Sequence, residues 1–220
     1  MIKKLIILAA IGMAAVSAFG QGFRGGMAGM MTSPVGLMNR DDVRTELQLT
    51  DDQKNKLAEL RESTQSKIRE TFQNASGDFA AAQKAMEPIL ADANDQINKI
   101  LTADQQKRLK EIGYQIGGYA IVATDKDLQT SLALTDEQKS KISDLFKTME
   151  AANASLREKA SNQEISRQEA GQGAMKNRQA LSSQIEGLLT AEQKSKFKDM
   201  QGKPFTQTSS PYGGRPGGGN

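Results

Sequence analysis

Apolar side chains recur every three or four positions in four long stretches of this chain. Leu57, Leu60, Ile68 and Phe72 mark the first, predicting a helix from Asp51 to about Asn74. Phe79, Met86, Leu90, Ala93, Ile97 and Ile100 mark the second, over 78–100, close to a heptad spacing. Ile142, Leu145, Met149 and Leu156 mark the third, and Ala174, Leu181, Ile185 and Leu188 the fourth. A short helix is expected over 40–47. Gly77 ends the first long helix, and Pro88 is expected to kink or divide the second. The pattern fades at 160–173, where Ser161, Asn162, Gln163, Gln168, Gly171 and Gly173 predict a loop or a frayed turn. No stretch alternates as a strand does. The predicted fold class is all-α, built from long antiparallel amphipathic helices. Their stripes are narrow, enough to bury one face but not to fill a thick core. The expected result is a thin, curved layer with a broad second face left over.

Four of the expected helices start with the same phrase. It reads Leu49-Thr50-Asp51-Asp52-Gln53, Leu101-Thr102-Ala103-Asp104-Gln105, Leu134-Thr135-Asp136-Glu137-Gln138 and Leu189-Thr190-Ala191-Glu192-Gln193. A helix leaves its first N–H groups without intrahelical partners. A threonine at the cap accepts from one of them, and a glutamine three residues on reaches back to the threonine's own N–H. The acidic residues between them sit where the helix dipole favours negative charge. Thr50, Gln53, Thr102, Gln105, Thr135, Gln138, Thr190 and Gln193, with the leucines before them, are thus read as structural helix caps.

The phrases come in two kinds. The first and third follow similar stretches, Asp42–Leu47 and Asp127–Leu132, while the second and fourth close long segments ending Ile97–Leu101 and Ile185–Leu189. Thr50 and Thr135 are 85 residues apart, and Thr102 and Thr190 are 88 apart. The order is therefore A–B–A′–B′, a tandem duplication of a helical unit. The expected division is a signal peptide at 1–20, a flexible Gly/Met-rich tail at 21–38, units at 39–122 and 123–200, and a flexible Gly/Pro-rich tail at 201–220. Between the units, Leu109 to Val122 is the most apolar stretch after the signal, and a helix packed centrally between the units is expected there.

Lys3 and Lys4 followed by the apolar run Leu5–Val16 read as an export signal. Cleavage follows either Val16-Ser17-Ala18 or Ala18-Phe19-Gly20. No cysteine follows it, which excludes a lipid anchor, and no later run is long enough to span a membrane. A periplasmic location is expected. Removing the signal lowers the formal +3 to about +1. The first unit carries twelve basic and fourteen acidic side chains and the second twelve of each, so the basic pI of about 9.0 does not argue for nucleic acid.

Zero cysteine removes disulfides and thiol chemistry, and zero histidine removes the commonest general base and transition-metal ligand. No serine has a histidine to activate it, and no Gly-rich phosphate loop follows a strand, so an enzyme is not expected. Asp41/Asp42 and Asp51/Asp52 are adjacent carboxylates, but neighbouring helix residues do not face each other. Met27, Met30, Met31 and Met38 are chemically suited to Cu(I) but read as flexible tail. No metal site and no cofactor are assigned.

The paired phrases carry a resemblance. Leu47–Lys54 followed by Ile100–Lys107, repeated at Leu134–Lys139 and Leu189–Lys194, resembles the Spy/CpxP family of periplasmic stress proteins, named for its L-T-x-x-Q motif. The resemblance covers residues 40–112 and 125–200. It implies an all-α protein with ATP-independent chaperone activity, holding partly unfolded envelope proteins on a concave face. Regulation of an envelope-stress sensor-kinase domain is the alternative it implies, and a metal-responsive role the third. Members of the family dimerise into a cradle. Two units in one chain imply a monomeric pseudo-dimer that brings the region near Leu60 to that near Leu145, with a homodimer as the alternative.

Overall fold

Two helical hairpins, each closed at one end by a pair of cap phrases, make up most of the chain. The computed structural model describes residues 31–75 and 79–208. Among these residues the fold is all-α, with no strand. The first hairpin is α3 (Asp51–Asn74) packed on α4 (Phe79–Ile100), preceded by α1 (Pro34–Met38) and α2 (Asp41–Glu46) and followed by α5 (Ala103–Gly117). A 3-10 segment, Gly118–Ala123, leads to α6 (Lys126–Ser131). The second hairpin is α7 (Asp136–Ser161) packed on α8 (Arg167–Leu188), followed by α9 (Ala191–Met200). The expected signal peptide, the breaker Gly77 and the tail beyond residue 208 lie outside the described residues.

The apolar stripes fill two cores. The first holds Val43, Leu47, Leu49, Leu57, Ile97, Leu101 and Leu109, and the second holds Leu128, Leu132, Leu134, Ile142, Ile185, Leu189 and Phe197. A shift of 85 residues carries the first four positions onto Leu128, Leu132, Leu134 and Ile142. A shift of 88 carries the last three onto Ile185, Leu189 and Phe197. All four phrase leucines are buried, at 4–5% exposure. Both cores sit at the phrase end of their hairpin. α3 buries only Gln53, Leu57 and Thr64, and α7 only Ile142 and Met149. The arms beyond these residues are packed on one side, as the narrow stripes require.

The loops between α2 and α3 and between α6 and α7 repeat a backbone feature. Gln48 has φ 48° and Ala133 has φ 49°, and they stand 85 residues apart. Both place an L-residue in the left-handed region, which reverses the chain tightly between a buried leucine and the next phrase.

Several segments depart from expectation. Pro88 neither divides nor ends α4, which runs on to Ile100. Pro88 and Lys84, whose carbonyl would otherwise accept from residue 88, are both exposed, so water serves that carbonyl. The loop expected at 160–173 is present but shorter. Only 162–166 is non-helical, and α8 starts at its own capping box, Ser166 with Glu169. The expected flexible tails also begin later than composition suggests. Leu37 and Met38 of α1 are buried in the first core, and Phe205 packs against that core from the C-terminal side. Burying these side chains offsets the cost of ordering the Gly- and Pro-rich backbone around them.

The apolar stretch 109–122 lies centrally, but it is not one helix. α5 stops at Gly118, whose φ of 55° breaks the helical path, and the chain tightens into the 3-10 segment against α8. Leu109 and Ile112 enter the first core; Tyr114, Ala120 and Val122 enter the second. Ile116 also packs against the first core, so α5 contributes side chains to both cores. Tyr119 and Tyr114 flank Phe197, with ring centroids 4.9 and 5.9 Å from it. No packed interface joins α3 to α7, and Leu60 and Leu145 border different cores. The approach expected of an intramolecular cradle is not formed between them, because each arm packs on its own hairpin partner.

The left-handed turn gives a direct test. Ala133→Gly is expected to stabilise the chain by roughly 0.5–1 kcal/mol, the left-handed penalty less the added backbone entropy. Chemical denaturation measures it, and a lower midpoint would mean that the methyl group, not the turn, dominates at this position.

Candidate functional site

The four phrases do more than cap. Thr50, Thr102, Thr135 and Thr190 each accept from the N–H of the glutamine three residues on, and each glutamine side chain accepts from the threonine N–H. The glutamines then meet across the hairpin. Gln53 Nε2 donates to Gln105 Oε1 at 2.7 Å, and Gln105 Nε2 donates back to Gln53 Oε1 at 3.1 Å. Their other amide hydrogens go to the carbonyls of Ile100, at 2.9 Å, and Leu47, at 3.1 Å. The second hairpin repeats the pair. Gln138 Nε2 donates to Gln193 Oε1 at 2.8 Å, Gln193 Nε2 donates to Gln138 Oε1 at 3.0 Å, and Gln138 also reaches the Leu188 carbonyl at 2.8 Å.

Only a primary amide does this. Each oxygen accepts twice, and the nitrogens of Gln53, Gln105 and Gln138 donate twice. Glutamate lacks the donors, and asparagine lacks one methylene of reach. The four threonine–glutamine pairs are thus structural fastenings whose polar groups mostly bond one another and the nearby backbone. Sequence reading found the caps but missed the pairing. The signal was the matched separation within each pair, 52 residues from Gln53 to Gln105 and 55 from Gln138 to Gln193.

The carboxylate pairs are also occupied. Asp51 pairs with Lys54, Asp52 with Lys56, Asp41 with Arg44, and Asp42 with Arg40. Among the described residues no group of three or more carboxylates is placed to hold a metal ion. Of the four tail methionines, Met27 and Met30 lie outside the described residues. Met38 is buried in the first core, and Met31 has its sulfur 4.0 Å from an Arg178 nitrogen. They do not form a shared site among the described residues.

One surface carries polar groups that converge on a peptide backbone. After α9 the chain continues as an extended strap, Gln201–Thr208, that crosses back to the first half. Gly202 allows the turn, with φ 63°, and a side chain there would overlap the Glu111 carboxylate. Gln115 Nε2 donates to the carbonyls of Gln201, at 2.6 Å, and Lys203, at 2.8 Å, and its Oε1 accepts from Phe205 N–H at 2.8 Å. Arg108 Nη1 donates to the Lys203 carbonyl at 2.8 Å, and Asp42 Oδ2 accepts from Thr208 N–H at 3.0 Å. Arg108, nine-tenths buried, is itself held by Glu46 at 2.7 Å and Glu111 at 3.1 Å. Composition concealed this strap; Phe205, a large apolar residue amid Gly, Pro and polar neighbours, was the available signal.

Burial raises the Glu46 carboxyl, but the hydrogen bonds and charges of Arg108 and Lys203 win and hold it below its ordinary value of 4.5. A depressed carboxylate contributes stability above its unfolded-state value and loses it as pH falls through its folded value. Glu46→Gln is therefore expected to destabilise the chain at pH 7, with the difference from wild type shrinking below about pH 4.5. Urea melts across that range check it; a constant difference would remove the ion pair as the cause. For the glutamine pair, Gln138→Ala is expected to cost roughly 2–4 kcal/mol, since several bonds are lost and Gln193 is left half-satisfied. Thr135→Ala should cost only about 1 kcal/mol. Equal losses in denaturant melts would reduce the glutamine to a simple cap.

Among the described residues no helix is long and apolar enough to cross a membrane. No curated protein and no solved structure matches the chain. A family model described as LTXXQ motif family protein matches residues 124–201, which hold α6 to α9 and the second glutamine pair. That segment is therefore similar to the LTXXQ motif family, the family of Spy/CpxP-like periplasmic proteins.

Proposed function

We propose that the chain is an exported, ATP-independent holdase that binds partly unfolded envelope proteins in the periplasm, and that residues 39–122 are a second copy of the matched unit. The observation that carries this reading is the family match at 124–201 together with the same fastening, leucine for leucine, in the first half. The arms supply a suitable surface. Phe72 and Met175 are exposed at 42% and 40%, and Leu60, Ile68, Phe146 and Leu156 are half-buried along the hairpins. Dispersed apolar side chains among solvated charges favour weak, many-point binding, which holds a client without burying it.

Purified chain is expected to suppress aggregation of a chemically denatured client without ATP at near-stoichiometric ratios, measured by light scattering. Replacing Phe72 and Met175 together by serine should weaken suppression several-fold while leaving helical circular dichroism unchanged. No suppression against several clients would end this reading. A single dominant partner recovered from periplasmic extract would favour a regulatory role on an envelope sensor instead.

A further inference from the structure

We propose that the groove holding Gln201–Thr208 is a binding site for extended polypeptide carrying an aromatic side chain, and that the strap is its built-in competitor. The proposal rests on the holdase reading only for the source of the peptide, a client segment in the unfolded state.

Three observations carry it. First, the groove reads backbone. Gln115 and Arg108 donate to the carbonyls of Gln201, Lys203 and Pro204, while Gln115 and Asp42 accept from the N–H groups of Phe205 and Thr208. These contacts are available to a segment of varied sequence that carries glycine at the position of Gly202, where a side chain would overlap Glu111. The side-chain contacts are Phe205 against the first core and Lys203 with Glu46 at 3.3 Å.

Second, the two charged reading groups, Arg108 and Asp42, are positioned without the strap. Arg108 is fixed by Glu46 and Glu111, and Asp42 by Arg40, at 2.8 Å, and by Val43 N–H, at 2.9 Å. All of these partners belong to α2, α5 or the residue before α2. A vacated groove therefore keeps its charges paired and its geometry set, which is the condition for binding without a large ordering cost.

Third, the strap is held lightly. Gly202, Lys203, Pro204, Thr206, Gln207 and Thr208 are exposed, and Phe205 is only half-buried. The strap follows the last helix, so it can leave without opening either hairpin.

The test uses the full chain and a fluorescent peptide of the sequence Gln-Gly-Lys-Pro-Phe-Thr-Gln-Thr, followed by anisotropy. The tethered strap competes at a high effective concentration, so wild type should bind the peptide weakly. Thr208→Pro removes the N–H that Asp42 holds and leaves the cores intact. Phe205→Ala removes the anchor of the strap. Either variant is expected to bind the peptide roughly ten-fold tighter than wild type, the effect of weakening a tethered competitor by about one hydrogen bond. A peptide with its glycine and phenylalanine kept in place and its other residues shuffled should bind within about three-fold of the original, because the groove reads backbone. One with alanine in place of phenylalanine should lose binding. If Phe205→Ala loses helical content, Thr208→Pro decides the matter. No gain in peptide binding by a folded Thr208→Pro chain overturns the proposal. Peptide capture without aggregation suppression supports the groove and counts against the holdase reading. Suppression without peptide capture overturns the groove alone.

Discussion

The structure depends on a reciprocal amide pair. At the closed end of each hairpin two helices begin side by side, each presenting N–H groups that no helical carbonyl can reach. Two glutamines answer both needs at once. Each caps its own helix and grips the other, and Gln53, Gln105 and Gln138 also take up carbonyls of the chain approaching the opposite phrase. This fixes where α3 starts relative to α5, and α7 relative to α9. The buried leucines before the threonines then fall into one core without further adjustment. The arms need less help, since a long helix pair packed along one stripe follows once its origin is set.

This arrangement explains why two small cores are enough. Cores of modest size suffice when polar fastenings define the crossing point, and no disulfide or metal site is needed among the described residues. Farther out, the α7–α8 arm is held by sparser contacts. Asn177 donates to Asn153 at 2.9 Å, and Gly173 lets Leu156 approach the α8 backbone. The arms trade packing for exposed surface, which is the property a weak binder of unfolded chains requires.

Much of this was legible in the residues. Thr and Gln at a spacing of three announced each helix start, and the leucines before them announced the cores. The four long stripes gave the hairpins because period and burial agree there. The rest was illegible for identifiable reasons. The Gln–Gln bonds join residues more than fifty positions apart, beyond any local pattern. Ser166 and Glu169 do form a readable capping box, but Gly171 and Gly173 around it masked the helix. Leu37 and Phe205 lay in stretches whose Gly and Pro content suggests flexibility, and only the empty edge of the first core gives them a place. Pro88 does not divide α4, since an exposed carbonyl loses little when water replaces its lost donor.

The strap also has a consequence for the order in which the molecule completes itself. Thr208 bonds Asp42 across 166 residues, and Lys203 meets Arg108 across 95. Local contacts close α3 on α4 soon after both exist, but these two joins must wait for nearly the whole chain. During synthesis from the N-terminus, the first half is therefore complete while its edge is still bare. Gln201–Thr208 arrive after both hairpins and seal an early part of the fold, so a chain cut short before Gln201 would keep both hairpins yet leave that edge bare.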